Sequence, residues 1–201
     1  FQSVRNEVDE AAARRHGIVL MRRMTGGGAM FVEPDNIITY SLYAPAALVE
    51  GLSLVDSYAF LDRWVIVALR ELGVDAWYEP INDITSAGGK IGGAAQARRP
   101  GAVLHHATMS YDLNSDRMLE VLRIGKEKLS DKGIQSAARR VGPLRMQTQL
   151  PRDEVIERMI RSFASQVGGV EEITVGEGEM QQAEELVRTR YGTDEWVHEL
   201  A

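Results

Sequence analysis

Apolar residues recur along the chain at two different periods, which predict helices in some segments and strands in others. The clearest helix runs from Ser53 to Gly73, where apolar residues follow each other at spacings of three and four. These apolar residues are Leu54, Tyr58, Leu61, Val65, Leu69 and Leu72. The same period, together with helix-start and helix-stop residues, predicts further helices near residues 3–16, 116–130, 151–166 and 179–191.

Alternation of apolar and polar residues predicts strands elsewhere. Between Ala102 and Leu113 one face of the strand is apolar and the other carries polar groups. Shorter runs rich in apolar and β-branched residues predict strands near residues 18–24, 36–43, 75–79, 90–97 and 171–175. Because strands and helices do not alternate regularly, the pattern favours a mixed α/β domain over a doubly wound one.

Composition narrows the classes of function. The 201 residues carry a net charge of −6, which argues against general binding of nucleic acid. They include no cysteine, so disulfides, thiolate metal sites and a cysteine nucleophile are excluded within this sequence. We see no apolar run of membrane-spanning length and no secretory leader, and we expect a cytoplasmic protein without membrane partners.

Three consecutive glycines that follow a pair of arginines form the first candidate binding feature. Arg22 and Arg23 precede Gly26, Gly27 and Gly28. Glycine lets backbone N–H groups approach a ligand closely, and the arginines add charge for a phosphate or a carboxylate. The segment lacks the Gly-Lys-Ser/Thr of a Walker loop and precedes no predicted helix. A ligand-binding loop and a flexible hairpin therefore both remain open.

Lys90 is the second candidate, because small residues follow it on a predicted strand. Gly92 and Gly93 leave room for a ligand against the strand, with the ammonium above it as a point charge. The alternative is a surface lysine on an edge strand. Asn82 and Asp83, slightly upstream, could offer oxygens to Mg²⁺ or to a ribose, although a turn cap is the commoner use of such a pair.

Two adjacent histidines lie on the alternating strand, so only one of them can face a ligand. His106 shares the more polar face with Thr108 and Ser110, and it is the better candidate. His105 shares the apolar face, and we expect it to be a packed, hydrogen-bonded core residue.

Taken in order, these segments resemble the lipoate–protein ligase family. The family has an Arg-Arg-x-x-Gly-Gly-Gly-x-x-Phe loop, an Asn-Asp pair, a Lys-Ile/Val-x-Gly-x-Ala strand and a His-x-Thr strand. The corresponding segments here are residues 22–31, 82–83, 90–94 and 106–108, with Ala107 in place of the family's usual Gly. Weaker matches follow at residues 132–136 and 140–144, and at the closing Tyr-x-x-x-x-Trp of residues 191–196.

The resemblance implies an α+β fold of mixed, mostly antiparallel sheets flanked by helices, as in biotin/lipoate ligase-like catalytic domains. It places all of residues 1–201 in a single catalytic domain that lacks the family's first strands. The implied activity is ATP-dependent ligation of lipoate, through lipoyl-adenylate, to a specific lysine of a carrier protein domain. ATP and Mg²⁺ are the implied cofactors.

The resemblance also implies roles for individual residues. Lys90 would be the catalytic residue, holding the lipoate carboxylate against the α-phosphate. Asp83, with Asn82, would orient the nucleotide or Mg²⁺, Asp83 being the metal ligand, and His106 and Thr108 would line the acyl tunnel or the adenylate. The residues implied in adenylate binding are Arg23, Gly26, Gly27, Gly28, Ala29, Met30 and Phe31.

Partners follow from the resemblance as well. They would be lipoyl-carrier domains of 2-oxoacid dehydrogenase complexes or the H protein of glycine cleavage. Because the family's small accessory domain is missing, a separate accessory-domain chain is a further expected partner. The alternative function is that of a partner-dependent or non-catalytic subunit that binds lipoyl-adenylate. The octanoyl transferases share the fold but use a cysteine, which this sequence lacks, and the glycine loop of biotin ligases has a different, arginine-rich pattern.

Overall fold

A five-stranded antiparallel sheet is the centre of the computed structural model, which describes residues 2–123 and 141–200. In sequence order its strands are β1 (Ile37–Pro45), β2 (Ala76–Glu79), β3 (Asp83–Ser86), β4 (Gly89–Arg99) and β5 (Ala102–Ser110). In space the order is β1-β5-β4-β3-β2, and every neighbouring pair is antiparallel. The expected α+β class with a mostly antiparallel sheet is confirmed.

Helices lie before, between and after the strands. They are α1 (Val4–Glu7), α2 (Glu10–Arg15), α3 (Leu54–Glu71), α4 (Ser115–Val121), α5 (Leu144–Thr148), α6 (Arg152–Val167), α7 (Glu177–Leu186) and α8 (Asp194–Val197), with a 3-10 helix at Ala46–Val49 and a π-helical turn at Val187–Tyr191. None of the helices in the described part of the chain combines the length and apolar character needed to cross a bilayer.

The main core lies between one face of the sheet and helices α3 and α6. Helix α3 begins where predicted, because the Ser53 hydroxyl accepts a hydrogen bond from the N–H of Asp56 at 3.1 Å. Its Trp64 packs edge-on against Phe163 of α6, with ring centroids 5.0 Å apart. The fully buried side chains of this core include Val65, Leu69, Ile84, Ile91, Met109, Leu144 and Val155.

Four predicted elements differ in the structure. Residues 18–24 and 171–175 form no strand, because no described strand lies beside either segment to complete a ladder. The predicted helix 3–16 is two helices, since Asp9 caps α2 through its side chain at 2.9 Å from the N–H of Ala12. The predicted helix 116–130 is observed as α4, and its remainder from residue 124 lies outside the described residues, as does the segment 132–136.

Candidate functional site

The glycine-rich loop is held in shape by Arg23 from within the loop itself. The guanidinium donates to Thr25 Oγ1 at 3.0 Å, to the carbonyl oxygen of Gly26 at 2.7 Å and to that of Gly28 at 3.1 Å. Gly27 has a φ of +103°, and a Cβ there would lie 2.8 Å from Arg23 Nη2. The turn therefore requires glycine at this position, and Arg23 acts here on the loop backbone.

His106 connects the loop to strand β5. Its Nε2 lies 2.7 Å from Thr25 Oγ1, in a hydrogen bond across the sheet face opposite α3. Burial lowers the pKa of His106 below its ordinary value of 6.5, and the positive charge of Arg23 lowers it further. The imidazole is therefore neutral at physiological pH and binds the threonine hydroxyl without charge.

His105, on the other face of β5, is a core residue, and that prediction is confirmed. It is fully buried, and its Nε2 lies 2.8 Å from Asp62 Oδ1 of α3. The same carboxylate oxygen accepts a hydrogen bond from the Tyr40 hydroxyl at 2.7 Å. Burial raises the pKa of Tyr40 well above its ordinary value, and the charge of Asp62 adds to that effect. The network joins α3 to the sheet on the side away from the loop.

Lys90 extends from β4 toward Asp83 of β3. Its Nζ lies 2.7 Å from Asp83 Oδ1, and 45% of the lysine side chain is exposed. Gly93 is cross-strand from Asp83, and a Cβ on Gly93 would lie 3.5 Å from both Lys90 Nζ and Asp83 Oδ1. The small residues after Lys90 therefore provide the space in which the ammonium and the carboxylate meet.

Gly92 serves a different purpose from Gly93. A Cβ on Gly92 would lie 2.6 Å from the carbonyl oxygen of Thr108 and 2.9 Å from Met109 Cγ. No side chain fits there without moving β4 away from β5, since real Cβ atoms do not approach backbone oxygen so closely. Gly92 thus allows the two strands to pack, whereas Gly93 leaves space on the face that carries Lys90.

Asn82 is engaged by the protein backbone. Its Nδ2 donates to the carbonyl oxygen of Ala94 at 2.6 Å, and the N–H of Ala94 donates to the carbonyl oxygen of Asn82 at 2.9 Å. The side-chain amide therefore fastens the turn between β2 and β3 to β4. Asn82 therefore has the turn-stabilising role that the sequence offered as the alternative to ligand binding. It also lines the cleft that contains Lys90.

The glycine loop and Lys90 line the same cleft, which has a volume of about 740 Å³. The site that the family resemblance implies requires the loop and Lys90 to lie near each other, and both do line this one cleft. The expected site residues that line this cleft are Arg23, Gly27, Gly28, Ala29, Met30, Phe31, Asn82, Asp83, Lys90 and Thr108. The roles expected for these residues stay predictions.

Gly26 and His106 lie outside that cleft. His106 lines an adjoining cavity of about 390 Å³, whereas Gly26 only offers its carbonyl oxygen to Arg23. Arg23 and Thr108 line both spaces, so the two meet at the glycine loop. Much of the lining of the second cavity is apolar, from Ile18, Leu20, Phe31, Val121 and Leu122.

Sequence reasoning missed Glu7. Its Oε2 accepts a hydrogen bond from the N–H of Ala29 at 2.7 Å, and the residue lines both spaces. For Arg22 the sequence predicted a charge for a phosphate or a carboxylate, whereas its Nε donates to the carbonyl oxygens of Trp196 at 3.0 Å and Val197 at 2.9 Å. The adjacent arginines thus act on different parts of the molecule.

The residues of the cleft suit a magnesium ion carried by phosphates and do not form a protein cage for a metal. No group of three or more His, Cys, Asp or Glu side chains arranged for a metal occurs in residues 2–123 and 141–200. Mg²⁺ commonly keeps waters and binds through one or two carboxylates together with substrate phosphates. Asp83 could be such a carboxylate, in exchange for its contact with Lys90.

Comparison with protein families gives one match to a family model. Residues 1–164 match the model described as the lipoyl protein ligase A/B catalytic domain. The match includes the glycine loop, Lys90 and His106.

Two lipoate–protein ligases are among the curated proteins similar in sequence. Lipoate-protein ligase A subunit 1 of Thermoplasma acidophilum is 31% identical over 207 residues, covering 98% of this chain and 78% of the relative. Lipoate-protein ligase LplJ of Bacillus subtilis is 28% identical over 199 residues, covering 97% of this chain but only 59% of the relative. Octanoyltransferase LipM of Brevibacillus brevis is 26% identical over 230 residues, covering 98% and 80%.

Solved structures with the same fold include ligand-bound ligases. A bi-partite lipoate protein ligase of T. acidophilum, studied with its E2 lipoyl domain, superposes with a TM-score of 0.88 at 32% identity, covering 100% of this chain and 79% of that one. A putative T. acidophilum lipoate protein ligase with bound lipoic acid gives a TM-score of 0.84 at 29% identity. A lipoate-protein ligase A bound with ATP gives 0.85 at 29% identity. The chain covers 100% of its own length and 80% of the other chain in both of these comparisons.

Proposed function

The chain belongs to the lipoyl protein ligase A/B catalytic domain family, and from this premise we propose that it is an ATP-dependent lipoate–protein ligase. It joins lipoate, through lipoyl-adenylate, to a lysine of a lipoyl-carrier domain. The observation that carries the proposal is that the glycine loop and Lys90 line one cleft. The related structures with bound ATP and bound lipoic acid support the two substrates.

The first step activates the carboxylate. A carboxylate oxygen of lipoate attacks the α-phosphorus of ATP, and the bond from that phosphorus to the oxygen of pyrophosphate breaks. Both reactants are anionic, so a cation between them lowers their repulsion. Lys90 supplies that charge, and Asp83, at 2.7 Å from its Nζ, directs the ammonium into the cleft. Mg²⁺, where bound through the phosphates, would offset further negative charge, and Asp83 would be its protein ligand in exchange for the contact with Lys90.

The second step transfers the acyl group. The amine of the carrier lysine attacks the acyl carbon, the bond from that carbon to the phosphate oxygen of AMP breaks, and the amine gives up a proton to solvent. The Lys90 ammonium stabilises the negative charge that develops on the oxygens in both steps. The attacking amine must be unprotonated, and a neighbouring ammonium disfavours the protonated form.

The acyl chain extends from the cleft into the adjoining apolar cavity. Thr108 lines both spaces and His106 lines the second, which supports a role for both along the route from Lys90. A neutral imidazole suits that position, because its neighbour is a chain without charge. Met30 contributes an apolar side chain to both spaces.

A partner-dependent ligase is the second candidate. It is favoured by the T. acidophilum relatives, one of which is named subunit 1 and one of which is described as bi-partite. In that case the chain transfers lipoyl from lipoyl-adenylate, and a separate accessory chain is needed to make the adenylate. An octanoyl transfer through an enzyme thioester has no nucleophile within these 201 residues, since they include no cysteine.

The test is a transfer assay with the purified protein and an apo-carrier domain, either an E2 lipoyl domain or an H protein. One sample contains lipoate, ATP and Mg²⁺, a second contains preformed lipoyl-adenylate, and a third replaces lipoate by octanoate. The intact mass of the carrier is measured. Gain of a lipoyl group in the first sample supports the complete ligase, and gain only in the second supports the partner-dependent form. If the carrier gains no lipoyl group in the first or the second sample, ligase activity is contradicted.

Two controls make the result specific. A carrier whose acceptor lysine is replaced by arginine must gain no mass, because its side chain has no free amine. The Lys90→Ala variant must lose most of the transfer at equal protein concentration. Transfer that persists unchanged in that variant would contradict the mechanism while leaving the family unaffected.

A further inference from the structure

Glu7 reaches into the glycine loop from a different part of the chain. It is the last residue of α1, and its Oε2 accepts the N–H of Ala29 at 2.7 Å. A Cβ added to Gly28 would lie 3.1 Å from the same oxygen. The carboxylate therefore lies directly against the loop backbone, and glycine at position 28 makes this approach possible.

The loop needs such a support because it has no ladder of its own. Residues 18–32 form neither helix nor strand, so their backbone groups have no regular ladder and depend on side chains, isolated backbone bonds or water. Arg23 binds two loop carbonyl oxygens, those of Gly26 and Gly28, and Glu7 binds a loop N–H. The loop is thus held by a cation that binds its carbonyl oxygens and by an anion that binds one of its N–H groups.

The short helix that carries Glu7 is itself fastened to the end of α4. The carbonyl oxygen of Glu7 accepts from the N–H of Arg123 at 2.8 Å, and the N–H of Asp9 donates to the carbonyl oxygen of Val121 at 2.8 Å. Val8 pairs with Leu122 in an isolated antiparallel bridge between these bonds. The carboxylate is therefore anchored, and it holds the loop to a fixed part of the protein.

We propose that Glu7 is a positioning residue that sets the conformation of the glycine loop through the N–H of Ala29. The proposal rests on the proposed function where it concerns ATP. No hydrogen bond within the described residues uses the N–H of Gly27 or Gly28, and both residues line the cleft. By holding the Ala29 amide, Glu7 keeps the loop in a conformation that leaves these two N–H groups available to an anionic ligand. The carboxylate does not itself bind the nucleotide, since it would repel a phosphate.

The experiment compares three variants of the full chain. Glu7→Ala removes the acceptor, Glu7→Gln keeps a neutral acceptor of the same shape, and Glu50→Gln is a matched control that removes an exposed acid outside the cleft. Amide exchange at Ala29 is followed by NMR without ligand. Affinity for Mg²⁺–ATP, kcat and KM are measured on the same preparations.

We expect the Ala29 amide to exchange about tenfold faster or more in Glu7→Ala, and to be largely restored in Glu7→Gln. The KM for ATP should rise about tenfold in Glu7→Ala with a smaller change in kcat, and the control should match the wild type.

Equal exchange in Glu7→Ala and wild type overturns the proposal, as does tighter ATP binding by Glu7→Ala. The wild-type protein could bind no ATP while the Ala29 amide still exchanges faster in Glu7→Ala. The proposed function would then fail, but the role of Glu7 in positioning the loop would be supported. If Glu7→Ala does not fold, Glu7→Asp replaces it, because the shorter side chain withdraws the acceptor from the Ala29 N–H. Unchanged Ala29 exchange and an unchanged KM in Glu7→Asp would then contradict the proposal.

Discussion

The ammonium of Lys90 lies 2.7 Å from the carboxylate of Asp83, on two adjacent antiparallel strands that bring together residues from separate motifs. Both side chains are partly exposed, at 45% and 32%, so water screens their attraction. Such pairs contribute about 0–1 kcal/mol to stability. The pair therefore has little to do with folding, and its value lies in where it holds the ammonium.

Replacement of Lys90 by alanine should abolish most of the chemistry and leave the fold intact. Loss of a charge that stabilises a transition state costs about 10²–10³ in rate. Transfer from lipoyl-adenylate to the carrier should fall by that factor, with the melting temperature unchanged. Arg63→Ala, which removes an exposed cation of α3, is the control and should retain full activity. A Lys90→Ala variant with more than about a third of the wild-type rate would remove Lys90 from the mechanism.

Replacement of Asp83 by asparagine separates two roles of the carboxylate. If Asp83 only directs Lys90, kcat should fall about tenfold, while the Mg²⁺ concentration for half-maximal rate stays the same. If Asp83 also binds Mg²⁺, that concentration should rise in the variant, because a carboxylate ligand has been lost. Titration of Mg²⁺ at saturating ATP distinguishes these cases. A fully active variant with unchanged Mg²⁺ dependence would contradict both.

The depressed pKa of His106 should make stability depend on pH in a particular direction. Above the unfolded pKa of about 6.5 the imidazole is neutral in both states, and the full stability is present. As the pH falls below that value, the unfolded chain takes up a proton more readily than the folded protein, so the free energy of unfolding decreases. Urea unfolding at pH 7.5 and pH 5 should show this loss. In His106→Gln the loss should be smaller, and an equal loss in both proteins would argue against His106 as its source.

The neighbouring glycines of β4 should respond differently to alanine. Gly92→Ala forces a Cβ against a backbone oxygen of β5, and overpacking of this kind costs about 1–3 kcal/mol. A Cβ in Gly93→Ala makes only ordinary contacts with Lys90 and Asp83, so the protein should fold normally. Activity should still fall, because the added methyl group occupies space beside the Lys90 ammonium. Chemical denaturation and the transfer assay together measure the contrast. Equal stability of the two variants would mean that β4 can move away from β5 at little cost.

The sequence predicted those parts of the fold whose signals are local. Helix α3 and strand β5 follow directly from apolar periods, and the buried state of His105 follows from alternation on β5. The strand expected at residues 18–24 was wrong, because its apolar pattern needs a neighbouring strand that local sequence cannot supply. Strand β3 was missed because Ile84 is the one apolar residue among its four, so no apolar run marks it in the sequence.

The prediction of a site at these residues came from the ordered motifs and the family they resemble. Periodicity alone does not predict that the glycine loop and Lys90 line one cleft, since their relative position depends on the whole sheet. Glu7 left no signal, because its partner is a backbone N–H that any residue could supply. The sequence also did not show that Arg22 and Arg23 have different roles. Two adjacent arginines look the same in a sequence, and their roles differ only because their side chains point in different directions.

Arg22 and Trp196 bind each other reciprocally: the indole Nε1 donates to the carbonyl oxygen of Arg22 at 2.8 Å, and Arg22 Nε donates back to that of Trp196. Arg190 stacks on the same indole, with its guanidinium carbon 4.5 Å from the ring centroid. The residue beside Arg22 is the one that shapes the glycine turn. A displacement of α8, by mutation or by a molecule that binds to it, would therefore reach the cleft lined by the glycine loop through the peptide bond between Arg22 and Arg23.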